Sequence, residues 1–199
     1  MRGINIHPVI LAAGPSTLGI PKALARFGEC TAVEIAVANC ADLRPPLVVL
    51  GSQGARVRRA LPAGVKVVIN RGWRRGQLSS LRLALRRLPQ DADFMLYPVD
   101  YPLLTPALVA QVVRGFARRA GNEQIVVPRF RGRGGHPVIF SASLRRELLT
   151  AATAREVVYR DPGRVKFVAV RSEAIWRDLD SPAAYRAGLR EFRRRNGAA

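Results

Sequence analysis

Cysteine is nearly absent from this chain: Cys30 and Cys40 are the only two, ten residues apart. Such a pair builds no disulfide framework for a domain of this size, and its spacing matches no zinc pattern. A reducing, cytoplasmic setting is the expectation. Long apolar runs are missing too. No stretch approaches the ~18 residues that would span a bilayer, so no membrane partner is expected. The opening MRGINIHPVILAAG lacks the layout of a secretory signal, because its apolar run leads straight into a glycine loop. Histidine occurs only at 7 and 136, and lysine only at 22, 66 and 166. Neither a cysteine–histidine pair nor a Gly-x-Ser-x-Gly elbow is present to suggest covalent catalysis. There is no internal repeat or low-complexity linker, and a single domain over residues 1–199 is expected.

What is abundant is arginine. Lysine and arginine total 33 against 14 acids, a formal charge of +19. That excess invites a nucleic-acid reading. The arginines are dispersed, however, as pairs at 58–59, 74–75, 86–87, 118–119 and 145–146 and a triplet at 193–195. Most are expected on the polar face or end of a helix, where cations suit the macrodipole. No aromatic residues are interleaved with them as stacking platforms. A nucleic-acid partner is therefore not expected, and affinity for anionic small molecules is favoured over it.

Strand and helix signals alternate along the chain. GINIHPVILA reads as a buried strand, and PPLVVLG, VKVVIN, DFMLYPVD and QIVVPRF as further strands. Between them TAVEIAVANCADL, QGARVRRAL, QLSSLRLALRRL and TPALVAQVVRGFARR read as helices, the last opened by Thr105 as N-cap and Pro106. A glycine loop RGRGGHP, a short strand HPVIF, helices SLRRELL and TAREVVYR, a strand VKFVAVR and a closing helix from Ser181 and Pro182 complete the chain. Continuous apolar strands joined through helices predict a mostly parallel sheet covered on both faces. Ligands in such folds bind beyond the carboxyl ends of the strands. That rule selects the loop 12–22, Asn70 with the residues just after it, Asp100 and Asp180.

The loop LAAGPSTLGIPK is neither a Walker A sequence nor a dinucleotide fingerprint. Ala12, Ala13 and Gly14 leave the backbone bare for a base and ribose, and Lys22 is positioned to neutralise phosphate oxygens. A plain strand-to-helix turn would read the same way. Asp100 either holds Mg²⁺ and through it a polyphosphate, or caps the next turn. Asn70, Ser79 and Ser80 stand at a strand-to-helix junction, where the hydroxyls cap the helix or read a base edge. His136 is expected to be exposed in its glycine loop, and His7 to be packed in the first strand. Asp178 and Asp180 end the last strand, where Asp180 shares a metal with Asp100 or simply precedes a helix.

Taken in order, LAAGPSTLGIPK, NRGWRRGQLSSL, VDYPLL, RGGHPVIF and DLDSPAAY resemble the MobA-like NTP transferases, the family of the molybdenum cofactor cytidylyltransferases and their guanylyl-transferring relatives. The resemblance spans nearly the whole chain. It implies a three-layer α/β/α Rossmann-like fold of the nucleotide-diphospho-sugar transferase type. It also implies transfer of a nucleotidyl group from an NTP to a phosphorylated acceptor, with release of pyrophosphate and Mg²⁺ as cofactor. By that resemblance Leu11, Ala12, Ala13 and Gly14 contact base and ribose, Lys22 the phosphates, and Ser79 and Ser80 lie near the base. Asp100 and Asp180 hold the metal, and Gly135 and His136 fall on the acceptor side. Ala-Ala-Gly at 12–14 resembles the members that use CTP. A sugar phosphate is the alternative acceptor, and a nucleotide-binding protein with weakened catalysis the alternative function. Two departures from the family pattern stand out. The loop Ser16-Thr17-Leu18-Gly19 is one residue short and lacks the arginine that meets the triphosphate, leaving Arg26 or Arg2 as substitutes. Arg171-Ser172-Glu173-Ala174 replaces the usual Asp-Asp-Pro-Gly.

Overall fold

The computed structural model describes residues 5–197. In chain order the first half runs β1 (Ile6–Ala12), β2 (Arg26–Phe27), β3 (Cys30–Thr31), α1 (Ala32–Ala38), β4 (Leu47–Leu50), α2 (Gly54–Arg59), β5 (Lys66–Ile69), α3 (Gln77–Leu85) and β6 (Asp93–Pro98). There follow α4 (Pro106–Ala117), β7 (Ile125–Phe130), β8 (Arg133–Gly134), β9 (Val138–Phe140), α5 (Arg145–Thr150), α6 (Ala154–Arg160), β10 (Val165–Ala169) and α7 (Pro182–Asn196). Among the described residues no helix is long and apolar enough to cross a membrane.

The main sheet has the order β10-β7-β9-β6-β1-β4-β5, with β8 paired to β7. Pairings of β1 with β4 and β6, of β4 with β5, and of β10 with β7 are parallel. Strand β9 runs against both of its neighbours, β6 and β7. Its reversal matters for function, because the residues before an antiparallel strand emerge where its neighbours end. Leu96 near the end of β6 faces Val138 at the start of β9. The RGRGGHP loop is thereby delivered to the carboxyl edge of the sheet.

Helices cover both faces, as the continuous apolar strands predict. In β1, Ile6, Ile10 and Ala12 enter one core with α1, α2 and α4, while Val9 and Leu11 enter the other with α3, α5 and α6. This is a three-layer α/β/α arrangement on a mostly parallel sheet. The β2–β3 ribbon inserts Phe27 edge-on between Tyr185 and Phe192 of α7, at 5.6 Å from each ring. Local signals set the helix starts. Thr105 accepts from the Leu108 amide at 3.3 Å, and Ser181 from the Ala184 amide at 3.1 Å. Thr31 and Glu34 close a capping box on α1.

Three placements differ from the sequence expectation. The helix expected over TAVEIAVANCADL ends at Ala38, because Asn39 turns inward to donate to the Tyr97 hydroxyl at 2.9 Å and the Leu104 carbonyl at 2.8 Å. Arg145 leaves the surface altogether. It is 5% exposed, and its guanidinium donates to the Leu85 and Pro89 carbonyls at the end of α3. The cation still meets a helix C-terminus, but from another helix and from inside. His7 is half-buried rather than packed, and burial with the charge of Arg44 lowers its pKa.

Candidate functional site

Beyond the ends of β1 and β6 lies a cleft of about 280 Å³. Its walls are the backbone of Leu11, Ala12, Ala13 and Gly14, with Lys22, Ser80 and Asp100. A Cβ added to Gly14 would meet nothing within 4 Å, so the glycine faces open space in the cleft. Gly51 behaves oppositely. A Cβ there would lie 2.5 Å from the Ala13 carbonyl oxygen and 2.8 Å from the Trp73 Cβ. That close approach lets the Ser52 amide donate to Ala13 at 2.9 Å, which fixes the loop against β4.

Lys22 opens a short turn of 3₁₀ helix and carries its ammonium between two carboxylates. One Asp100 oxygen, Oδ2, stands 3.5 Å from Nζ, and Asp180 Oδ1 accepts a direct hydrogen bond from it. Thr17 adds a second tie to the same segment by donating to the Asp180 carbonyl at 2.9 Å. The Asp180 amide in turn donates to Asp178 Oδ1 at 3.2 Å. Burial pushes the Asp100 carboxyl above the usual range, and the Lys22 charge only partly offsets it. Burial pulls the Lys22 ammonium down, but the Asp180 hydrogen bond and the Asp100 charge leave it raised. The other Asp100 oxygen, Oδ1, is buried without a hydrogen-bond partner. An orphaned buried carboxylate oxygen suits a hard divalent cation. Among the described residues no group of three or more His, Cys, Asp or Glu side chains converges on a metal position. Asp100 and Asp180, which meet at the Lys22 ammonium, are the two carboxylates that a cation at this position would meet.

The other predicted donor residues separate. Asn70 is buried and donates from Nδ2 to Ser79 Oγ and Ser80 Oγ, both at 2.9 Å, while accepting from the Gly72 amide at 2.9 Å. The Ser79 hydroxyl in turn donates to the Gly76 carbonyl at 2.7 Å. Neither serine caps α3, whose N-cap is Gly76. Of these three residues only Ser80 lines the cleft. Arg26 is exposed, donates to the Glu29 carbonyl at 2.7 Å, and lines a groove beside α7 instead. Arg2 lies outside the described residues. Among the described residues Lys22 is the sole cationic side chain on the cleft wall.

A second cleft of about 220 Å³ adjoins the first. Gln77, the first residue of α3, lines both, and Tyr101 in the second follows Asp100 in the first. Leu96, Val127, Val138 and Phe140 give this cleft an apolar floor. Tyr101, Tyr159 and Trp176 stand around it with Arg133, Arg155 and Asp178. The two arginines lie over aromatic rings, Arg133 at 5.1 Å from Trp176 and Arg155 at 5.4 Å from Tyr159. Gly135 and His136 line it too, although His136 is half-buried rather than exposed. Its ring lies 4.8 Å from that of Tyr101. Burial lowers its pKa to about 4, so the ring is neutral, and Nδ1 is buried without a partner. The close approach explains Gly135. A Cβ there would lie 2.2 Å from the Ile175 carbonyl oxygen, which accepts from the His136 amide at 2.7 Å.

Trp73, Gln77, Arg155 and Tyr159 were not among the residues the sequence singled out. Gln77 carried a usable signal, since it opens a helix directly after a strand-to-helix glycine. Arg155 and Tyr159 share one face of α6 at ordinary helical spacing and carried none.

An α/β sheet with helices on both faces, whose strand ends support a bare-backbone cleft bearing a lysine and an aspartate, defines a Rossmann-like nucleotide-handling protein. The sequence model of the MobA-like NTP transferase domain matches residues 8–171, and the chain belongs to that family. It is a nucleotidyltransferase. No curated protein matches the sequence. Among solved structures, Rv0371c from Mycobacterium tuberculosis H37Rv is 30% identical, covering 96% of this chain and 100% of its own, with a TM-score of 0.80. The same protein has been crystallised as a complex with manganese, matched at 27% identity over 94% of this chain and 98% of its own with a TM-score of 0.77. A nucleotidyl transferase from Methanothermobacter shares the fold at 21% identity and a TM-score of 0.82, covering 98% of this chain and 100% of its own. So does 2-C-methyl-D-erythritol 4-phosphate cytidylyltransferase from Thermus thermophilus, at 21% identity over 94% and 98% with a TM-score of 0.64.

Proposed function

We propose that the chain moves a nucleoside monophosphate, CMP by preference, from its triphosphate to a phosphorylated acceptor such as molybdopterin. Mg²⁺ is the proposed cofactor and pyrophosphate the second product. The observation that carries this reading is the pair of adjoining clefts, which share Gln77, with Lys22 and Asp100 on the wall of the first and Tyr101 and Asp178 on that of the second. A two-substrate transfer needs two pockets sharing an edge where the reacting atoms meet. The first has the bare backbone of Leu11 to Gly14 for a base and ribose, with Ser80 on its wall and Lys22 for the phosphates. Asn70 and Ser79 serve that cleft by holding Ser80 and the adjacent turn. In the second, Gly135 and His136 face the acceptor, with aromatic rings for a planar body and Arg133 and Arg155 for its phosphate.

In the reaction, an acceptor phosphate oxygen forms a bond to the α-phosphorus. The bond from that phosphorus to the bridging oxygen breaks in line, and pyrophosphate leaves with its electron pair. Lys22 offsets charge on the phosphate oxygens, and the clefts hold the two substrates in register. Asp100 and Asp180 would hold the divalent cation, which when bound supplies further charge neutralisation at the phosphates. The manganese complex of Rv0371c supports a cation in this family. Ala13, in the position that resembles the CTP-using members, supports the base, as does the cytidylyltransferase fold relative.

A sugar phosphate is the alternative acceptor, for which Gln77, Tyr101, Tyr159 and Asp178 on the same cleft offer hydrogen bonds to hydroxyls. A nucleotide-binding protein with weakened catalysis draws support from Lys22 being the one cation on the described wall of the donor cleft. Calorimetric titration with CTP, GTP, ATP and UTP, with and without Mg²⁺, followed by pyrophosphate release with candidate acceptors, separates these readings. Selective Mg²⁺-dependent CTP binding with turnover is expected. Binding without turnover on any phosphorylated acceptor favours the weakened protein, and absence of all nucleotide binding overturns both.

A further inference from the structure

The position that suits a divalent cation is already held by one of the protein's own charges. Two carboxylates, from the ends of the sixth strand and of the last loop, both touch the Lys22 ammonium. Asp100 gives it only Oδ2, at 3.5 Å, and leaves Oδ1 buried and unpaired. An ammonium is a single point charge with three donors, so it satisfies this pair incompletely. A divalent ion with short bonds to oxygens of both aspartates would satisfy it better. The two cations cannot stand there together, because like charges a few ångströms apart repel strongly in a half-buried site.

We propose that Lys22 is a resident counter-ion that the incoming metal displaces, so that metal binding is what frees the lysine to reach the nucleotide phosphates. This rests on the reading that Asp100 and Asp180 hold a divalent cation during transfer. In the empty protein Lys22 keeps the two aspartates neutralised and, with Thr17, ties the donor loop to the Asp180 segment. Arrival of the metal breaks the lysine tie and leaves the Thr17 one. Metal and nucleotide consequently bind with positive coupling, and the metal alone binds weakly because it has to evict an ammonium.

The test uses Mn²⁺ as the probe, with free ion followed by electron paramagnetic resonance in the absence of nucleotide. Lys22→Met, close in length and uncharged, is expected to bind Mn²⁺ at least about tenfold tighter than the unaltered protein. Arg26→Met removes the same charge from an exposed site that lines a different groove, and is expected to change Mn²⁺ affinity by less than about twofold. Equal tightening by both variants would reveal a general effect of the +19 surface and overturn the proposal. So would unchanged affinity in Lys22→Met. A second readout needs no substitution in the observed protein. Lysine occurs only at 22, 66 and 166, so ¹³C-lysine labelling gives three side-chain signals, with Lys22 assigned by its loss in Lys22→Met. Diamagnetic Mg²⁺ is expected to move the Lys22 signal alone. A Lys22 signal that ignores saturating Mg²⁺ while Mn²⁺ binds at Asp100 refutes displacement but leaves the metal reading intact. If no variant binds either ion with or without CTP, the proposal fails together with the reading beneath it.

Discussion

Gly14 and Gly51 sit on either side of the same stretch of backbone, and methyl groups added to them should have separable effects. At Gly14 a new Cβ touches no protein atom within 4 Å, and the residue's φ lies outside the left-handed region. Gly14→Ala should therefore leave the fold unharmed, or stabilise it by about 0.4–1 kcal/mol through loss of unfolded-state freedom. The methyl projects instead into the cleft proposed for the nucleotide. Overpacking a close contact typically costs about 1–3 kcal/mol, which is a loss of roughly five- to 160-fold in CTP affinity. At Gly51 the new atom would lie 2.5 Å from the Ala13 carbonyl oxygen and 2.8 Å from Cβ atoms of Ala13 and Trp73. None of these is the end of a flexible chain, so backbone has to shift by several tenths of an ångström. The same 1–3 kcal/mol scale now falls on the fold, about 2–12 °C in melting temperature for a chain of this length. Ala13 moves with it, so nucleotide affinity falls as well. Thermal unfolding and CTP calorimetry on the two variants read both effects. Gly14→Ala binding CTP as well as the unaltered protein would refute the placement of the nucleotide, and Gly51→Ala melting normally would refute the close approach.

Three further outcomes are expected. Asp100→Asn should lose Mg²⁺-dependent pyrophosphate release, yet melt higher than the unaltered protein at neutral pH. A carboxyl whose folded pKa is raised contributes stability when protonated and loses it as pH rises, so the melting gap should close as pH falls through that raised value. A gap that widens on acidification contradicts the sign. Asn70→Ala should cost about 1–3 kcal/mol, because it strands the part-buried Gly72 amide and the buried Ser80 hydroxyl, and chemical denaturation measures this. His136 should stay neutral from pH 8 down to about 5, with Nδ1 unprotonated in ¹⁵N spectra, since its pKa is about 4. Its depressed pKa contributes stability above the unfolded value near 6.5 that is lost as pH falls towards 4. Titration of that ring near 6.5 would show the site to be open to water.

Much of the architecture could be read from the sequence because the inner strands β1, β4, β6 and β9 are buried on both faces and carry unbroken apolar runs, whereas the edge strands β5 and β10 stay partly exposed. The caps at Thr105 and Ser181 were legible because each hydroxyl acts within its own few residues. What stayed hidden depends on distant partners. Asn39 ends α1 early through Tyr97 and Leu104, and Arg145 turns inward to carbonyls at the end of α3. Neither partner is marked in the local sequence. The strand ends led to Lys22 and Asp100, whereas Asp178 and Asp180 do not end the last strand but follow it, past Ala169 and a short turn at Glu173–Ile175; nor did the sequence show the role of Asn70, whose hydrogen-bonding capacity is spent on its neighbours. Arg155 and Tyr159 escaped notice for the same reason, since only the folding of α6 against the sheet brings them to the second cleft.

The ties from Thr17 and Lys22 to Asp180 join residues 163 and 158 positions apart. The donor loop therefore leaves the ribosome well before its anchor does. At about 5–20 residues per second, roughly ten to thirty seconds separate the two. Throughout that interval the loop has its lysine but not Asp180, and most of the sheet can assemble before the site does. A chain stopped before residue 180 would thus retain most of the folded layers while lacking the contact that orders its first loop. The tie that closes the loop is thus made after the layers it rests on.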